Sequence, residues 1–403
     1  MQFFQTSLIP LNRKLPEMIE KKTAQPPILR VGTLFSGIGA FEQALKQMKI
    51  PHEIIFACDN GERYLPLTHK ELKRQTKGMS REEAEEHVDG LYERTGKANH
   101  VMASYFANYA ITLERWHNDV RFMDGTKYKD QVDILVGGSP CQSFSTYGLK
   151  LGLEDARGTL FYEYARMIKE VQPKVFIFEN VKGLTVHDKG HTWEVIQEVF
   201  DSLDYDIAKP EILNACDYGL PQMRKRLFVV GVKRSLGKKP FKYPQKIKLT
   251  AKATDYLTPS DQVPIEYYLP KKGYEWTTEV NRSKNKARIN RDVIGCQTAV
   301  QQFNWSGDFR MEVAKPEHRL STNKVFVTQY KGPNESLQKE FEGKDVVVRK
   351  LMPEECLRLM GFEDFNIVVE PNVAYRQAGN SIAVPVLKAL VKEIMKQFFN
   401  REV

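Results

Sequence analysis

The chain has 403 residues, 41% of them hydrophobic, and a formal net charge of +9, which excludes wholesale disorder, allows two domains and suits a polyanionic partner such as nucleic acid. Its five cysteines, Cys58, Cys141, Cys216, Cys296 and Cys356, are odd in number, far apart and form no CxxC pair, so a disulfide framework and a structural zinc site are excluded and a reducing cytoplasm fits. No apolar run approaches the ~20 residues of a membrane span, and no signal-peptide core precedes Pro27.

Residues 1–29, with Pro10, Pro16, Pro26 and Pro27, read as an irregular extension. Arg30 to Phe35 and Ile54 to Cys58 read as short buried strands, with a helix from Gly37 to Gln47 entered through a glycine turn. This βαβ opening predicts a doubly wound α/β sheet. Residues 61–104 interrupt the rhythm as a helical surface insertion, in which Ser80 and Glu83 have the spacing of a capping box. A helix is expected around Tyr105 to Trp116. Strands follow at Ile134 to Val136, Val175 to Phe178 and Leu227 to Val232, separated by helices around Tyr162 to Val171 and Trp193 to Leu203. Seven Lys or Arg and no acid lie between Lys233 and Thr250, and no clear periodicity returns before about 346. The stretch 233–346 therefore reads as a separate, irregular, basic domain. Apolar Val384, Leu387, Val391, Ile394 and Phe398 then repeat at helical spacing.

Phe35-Ser36-Gly37-Ile38-Gly39 lies between a predicted strand and helix, where glycines let a ligand approach the backbone. The phosphate-binding GxGxxG pattern fails at Glu42, which disfavours a dinucleotide. Asp59 ends the next strand at the distance of a ribose-binding acid, although a helix cap explains it too. Asp124 is placed to accept from an adenine amino group and is, as a lone residue, equally a turn aspartate. An adenosine site without a phosphate chain points to S-adenosylmethionine.

Cys141 sits in the turn GGSPCQSFS directly after the strand Ile134 to Val136, at the carboxyl edge where open α/β sheets bind ligands. Glu179 reaches the same edge in Glu179-Asn180-Val181. In Gln222-Met223-Arg224-Lys225-Arg226 the two arginines alternate, so an extended chain puts both on one face, to hold Glu179 or grip a phosphate.

Taken in order, FSGIGAFE, Asp59, Asp124, GGSPCQSFS, ENV, QMRKR, RKLMPEECLRLMGF from Arg349 and QAGNSIAVPVL from Gln377 resemble the DNA cytosine-5 methyltransferases of bacterial restriction–modification systems. The resemblance covers roughly 30–60, 105–232 and 347–400. It implies a Rossmann-like S-adenosylmethionine-dependent methyltransferase fold, with a mixed, mostly parallel sheet, over 30–232 and 347–403. A smaller target-recognition domain is implied over 233–346. It further implies a monomer that methylates carbon 5 of a flipped cytosine in double-stranded DNA, with S-adenosylhomocysteine as product and no metal or membrane. A cognate restriction endonuclease would act on the same site.

By the same resemblance Cys141 is the nucleophile and Glu179 the group that quenches charge at ring nitrogen 3. Arg224 would bind the carbonyl oxygen at position 2, and Arg226 would brace Glu179. The cofactor set implied is Phe35, Ser36, Gly37, Ile38, Gly39, Asp59, Asn60, Asp124, Gly125, Pro140, Leu160, Asn380 and Ser381. Asn60 stands where the family often has an aromatic residue against adenine. Gln142, Ser145, Tyr147, Arg157 and Thr298 are the DNA contacts implied, the first four within a glycine-hinged loop from Ser143 to Gly158 and its approach. A transfer-RNA cytosine methyltransferase shares the catalytic motifs but has a smaller recognition region than 233–346. A silent DNA-binding module would not need these motifs intact.

Overall fold

The computed structural model describes residues 27–139, 160–237, 240–278, 287–321 and 324–403. Strand β1 (Leu29–Leu34) leads through the glycine loop into α1 (Ala40–Gln47) and then β2 (His52–Cys58). Helices α2 (His69–Gln75), α3 (Arg81–Arg94) and α4 (His100–Phe106) precede the two-residue β3 (Trp116–His117). Then come β4 (Ile134–Gly137), α5 (Leu160–Val171), β5 (Val175–Val181), α6 (His191–Asp201), β6 (Tyr205–Ile207), β7 (Glu211–Asn214) and β8 (Lys225–Lys233).

These strands form one sheet in the order β3-β2-β1-β4-β5-β8-β6, with β7 also on β8. The first five pair in parallel and the contacts of β8 are antiparallel. The expected mostly parallel α/β sheet is therefore present. Successive side chains of a strand point to opposite faces. Val175 and Ile177 accordingly join the core beneath α1, and Phe176 and Phe178 join the second core against α5 and α6. Because the first five strands run the same way, their carboxyl ends line one edge of the sheet. That edge receives Phe35, Asp59, the 118–124 loop, Gly138 and Glu179.

A second sheet, ordered β11-β12-β10-β9, occupies the expected irregular domain and continues past its expected end at 346, to Lys350. It follows helix α7 (Lys271–Thr278) and comprises β9 (Arg288–Ile289), β10 (Asp308–Val313), β11 (Thr328–Gln329) and β12 (Asp345–Lys350). Its core is built from Leu269, Tyr274, Phe309, Met311, Val346 and Val348, among others. Helices α8 (Pro353–Arg358), α9 (Pro371–Asn380) and α10 (Val384–Phe398) return to the first domain, where α10 packs on α1.

Three further boundaries differ from expectation. The basic stretch after Lys233 is not all recognition domain: Phe241, Ala253, Tyr243, Tyr256 and Leu257 pack on the main core. Lysines at the surface hid this apolar register. The helix expected through Trp116 ends at Phe106, and Trp116 enters the edge strand beside Ala57. The expected insertion 61–104 overlaps α4, whose Tyr105 hydroxyl bonds Glu42 in the core at 2.6 Å, so the inserted part ends before α4.

The insertion is fastened to the sheet edge. Ser80 and Glu83 form the expected capping box at the start of α3. Tyr92 donates to Asp119 at 3.0 Å, Asn118 to Asp89 at 3.2 Å, and His117 pairs with Glu85. The two domains are joined by a buried charge network. Arg349 is fully buried and meets Glu355 at 2.9 Å and Glu312 at 2.8 Å, and Glu355 also caps the Met352 amide. Such a network is held together because any uncompensated member would be a buried charge.

Candidate active site

The glycine loop is shaped by positive φ at Phe35 (53°), Gly37 (53°) and Gly39 (78°). A Cβ on Gly39 would sit 2.2 Å from the Tyr109 ring, so only glycine fits there. A Cβ on Gly37 would meet no atom within 4 Å, so the loop is open above that residue. Ser36 ties the loop to β2 by accepting from the Cys58 amide at 3.0 Å. Asp59 holds the loop from the next strand: one carboxylate oxygen accepts from Gly37 at 2.9 Å and the other from Gly61 at 2.8 Å. Burial raises the Asp59 pKa, and these two amides offset that only in part.

Asp124 accepts from Thr126 through both its amide (3.0 Å) and its hydroxyl (2.6 Å), and from Arg81 of the insertion at 3.0 Å. Arg81 also reaches Glu170, whose other oxygen accepts from the Gly125 amide at 3.0 Å. Asn380 donates to Glu62, three residues beyond Asp59, and Arg376 pairs with the same carboxylate at 3.3 Å. The end of α9 therefore does meet the Asp59 loop. An open glycine turn, an ordered strand-end acid and a second acid one strand further out suit an adenosine group.

The second half of the site lies one strand over. Gly138 is pressed against Glu179: a Cβ there would be 2.8 Å from a carboxylate oxygen. Asn180 donates to the Ser139 carbonyl at 2.9 Å, which fixes the turn after β4 beside the end of β5. The Glu179 side chain is 14% exposed, and Nε of Arg226 lies 3.2 Å from it. Burial raises the Glu179 pKa, partly offset by Arg226 and then Arg224.

Arg224 is spent differently. Its guanidinium donates to the carbonyls of Gln297 (3.0 Å), Gly379 (2.9 Å) and Ser381 (2.5 Å). Burial, and then Arg226, lowers its pKa to about 10. Gln222 donates to the Leu359 carbonyl at 2.7 Å and accepts from the Gln297 amide at 3.2 Å. The strap Ile294–Gln297 of the recognition region is thus stitched onto Gln222-Met223-Arg224. It also rests on α9, where a Cβ on Gly379 would lie 2.2 Å from the Thr298 backbone.

This arrangement has a counterpart in known proteins. The family described as C-5 cytosine-specific DNA methylase matches residues 94–396. The chain belongs to that family. It is a DNA cytosine-5 methyltransferase. The type II methyltransferase M1.ScrFI of Lactococcus lactis subsp. cremoris is 34% identical over 76% of this chain and 74% of its own length. M.HpaII of Haemophilus parainfluenzae is 36% identical over 67% of the chain and 74% of its own length. The solved DNMT2 mutant of Spodoptera frugiperda shares the fold, with a TM-score of 0.60 at 17% identity over 91% of this chain and 99% of its own.

Within this methyltransferase several expectations need correction. Arg224 spends both terminal nitrogens on three backbone carbonyls, and Arg226 is the arginine beside Glu179. Ile38 is 1% exposed and its side chain belongs to the core, not to a ligand surface. Asn60 spends its amide within its own turn, donating to the Arg63 carbonyl at 3.1 Å and accepting from the Glu62 amide at 3.0 Å. Ser381 is buried and contributes its carbonyl to Arg224. Leu160 opens α5 half-buried, and Thr298 is exposed beside Val300 and Phe303. Pro140, Cys141, Gln142, Ser145, Tyr147 and Arg157 lie outside the described residues.

Sequence reasoning missed Glu62, Arg81, Gly138 and Cys296 as parts of the site. Arg81 and Glu62 belong to an insertion read as surface. Cys296 is one of five cysteines scattered along the sequence, with nothing local to single it out.

Proposed function

We propose that this methyltransferase takes its methyl group from S-adenosylmethionine and transfers it to a cytosine extruded from double-stranded DNA, through a covalent bond to Cys141. The observation that supports this most is the Asn180–Ser139 hydrogen bond at 2.9 Å, with Gly138 seated against Glu179. Cys141 follows Ser139 by two positions in the sequence, and this reading takes it as the nucleophile.

The cofactor residues are Gly37 and Gly39, whose turn admits the ligand, Asp59 for the ribose hydroxyls, Asp124 for the adenine amino group, and Asn380 at the methionine end. When bound, S-adenosylmethionine supplies an electrophilic methyl on a sulfonium. Arg81 pre-orders Asp124, leaving one carboxylate oxygen for the adenine.

Cytosine carbon 5 is a poor nucleophile. Addition of the Cys141 thiolate to carbon 6 makes it an enamine carbon able to take the methyl. Negative charge builds on the ring during addition. Glu179, whose raised pKa favours the protonated form, shares its proton with ring nitrogen 3 and accepts from the exocyclic amine, which selects cytosine. Arg226, rather than Arg224, is the guanidinium available to the oxygen at position 2. Loss of the carbon 5 proton to a base and departure of the Cys141 thiolate complete turnover. The base must leave the stack to reach this pocket, at a cost of a few kcal/mol.

Thr298 and the basic residues of the recognition domain contact the duplex, phosphates giving affinity and base edges giving sequence. Type II methyltransferases among the relatives support a role in protecting host DNA from a cognate endonuclease acting on the same site. The test is transfer of a labelled methyl group to duplex DNA and to transfer RNA in parallel. Label in 5-methylcytosine of the duplex is expected. Label in transfer RNA alone would overturn the reading.

A further inference from the structure

Cys296 lies between the two arginines of QMRKR. Its sulfur accepts from Nη1 of Arg224 at 3.4 Å and lies 3.8 and 3.9 Å from Nη1 and Nη2 of Arg226. The thiol donates to the neighbouring Gln297 carbonyl at 3.4 Å, which turns the sulfur lone pairs towards the guanidinium N–H groups. Two guanidiniums on one face repel each other. Arg224 is pinned by three carbonyls and cannot retreat. Arg226 is the free member of the pair, and Lys225 provides its only backbone acceptor among the described residues, at 3.0 Å.

We infer that Cys296 is a positioning residue: its sulfur is the acceptor that lets Arg226 stay beside Glu179 although Arg224 stands next to it. The inference rests on the proposed role of Glu179 and Arg226. It adds that the pocket is incomplete without the recognition region, because Cys296 comes from the Ile294–Gln297 strap, whose Ile294 carbonyl accepts from the Met223 amide at 2.9 Å. Seating of the recognition region and placement of the catalytic arginine are then one event. A duplex that displaces the exposed loop from Thr298 to Phe303 would pull on Arg226 through two residues of chain.

The described charged groups that face Glu179 are Arg226 and Arg224, so loss of the sulfur acts on its proton through Arg226. Cys296→Ala removes the acceptor and should lower kcat about 10-fold to 100-fold, the usual cost of a slightly misplaced group, with KM for S-adenosylmethionine unchanged. With Arg226 displaced, the limb of the pH–rate profile set by Glu179 should move to higher pH. Cys296→Ser keeps an acceptor and should restore the wild-type pH profile and most of kcat. Wild-type kcat and profile in Cys296→Ala would overturn the proposal. So would equal rate losses in both variants with no shift in pH, since that pattern reports lost packing alone. Should Cys296→Ala fail to fold, Cys296→Val, which fills the space without an acceptor, decides by its pH profile: a limb moved to higher pH supports the acceptor role, an unshifted one overturns it. Absence of transfer to DNA by the wild-type protein would overturn the reading beneath the proposal, and the proposal with it; normal wild-type transfer with an indifferent Cys296→Ala overturns the proposal alone.

Discussion

Cys141→Ser should lower methyl transfer by ~10⁴-fold or more, the loss expected when the nucleophile of a covalent mechanism is removed. The thiolate is the attacking form, and a serine hydroxyl has neither its nucleophilicity nor its ability to leave. Nothing else in the site changes. Gly138 still rests on Glu179, Asn180 still holds Ser139, and the recognition strap is still stitched to Gln222 and Arg224. Duplex binding in a filter or mobility assay should therefore stay within a few-fold of wild type. Substantial transfer by the serine variant would remove the covalent step from the scheme.

Glu179→Gln is the second large effect. Glutamine keeps the shape but has no proton to share with ring nitrogen 3, so kcat should fall by about 10²- to 10⁴-fold, the range for a lost general acid. The same substitution acts on stability with the opposite sign. Burial raises the Glu179 pKa in the folded protein, so the ionised form is disfavoured there relative to the unfolded chain. The stability associated with this group is present below the ordinary carboxylate range and is lost as pH rises through the folded value. Removing the charge should raise Tm at pH 8 and leave it unchanged at pH 4. A variant that is inactive and less stable at pH 8 would mean that the Arg226 pair outweighs desolvation of the carboxylate.

Much of this site could be read before any coordinates, for a physical reason. Residues that follow the apolar strands of a parallel sheet arrive at one edge, so their place after predicted strands groups Phe35, Asp59 and Glu179. Which arginine serves the pocket was not legible. Alternation puts Arg224 and Arg226 on one face and both do approach Cys296, but the carbonyls that capture Arg224 come from Gln297, Gly379 and Ser381, far along the chain. The lysines after Lys233 likewise suggested an open basic surface, whereas Phe241 and Tyr243 alternate with them and pack inward. The insertion looked like surface because α3 carries acids and bases all along it. Its attachment to His117, Asn118 and Asp119 depends on a two-residue edge strand too short to announce itself. Asn60 could not be judged from type, since only its turn reveals that its amide is already used.

Addition of a thiol to the ring of an extruded cytosine, next to a proton-sharing acid, is the step on which the proposed mechanism turns. The most direct measurement is incubation of the protein and S-adenosylmethionine with duplex DNA carrying 5-fluorocytosine at the methylated position, followed by denaturation and peptide mapping. Fluorine blocks the final proton loss, so a one-to-one protein–DNA adduct on the peptide containing Cys141 is predicted. Turnover of normal duplex with no adduct on the fluorinated one, or an adduct at a different residue, would contradict it.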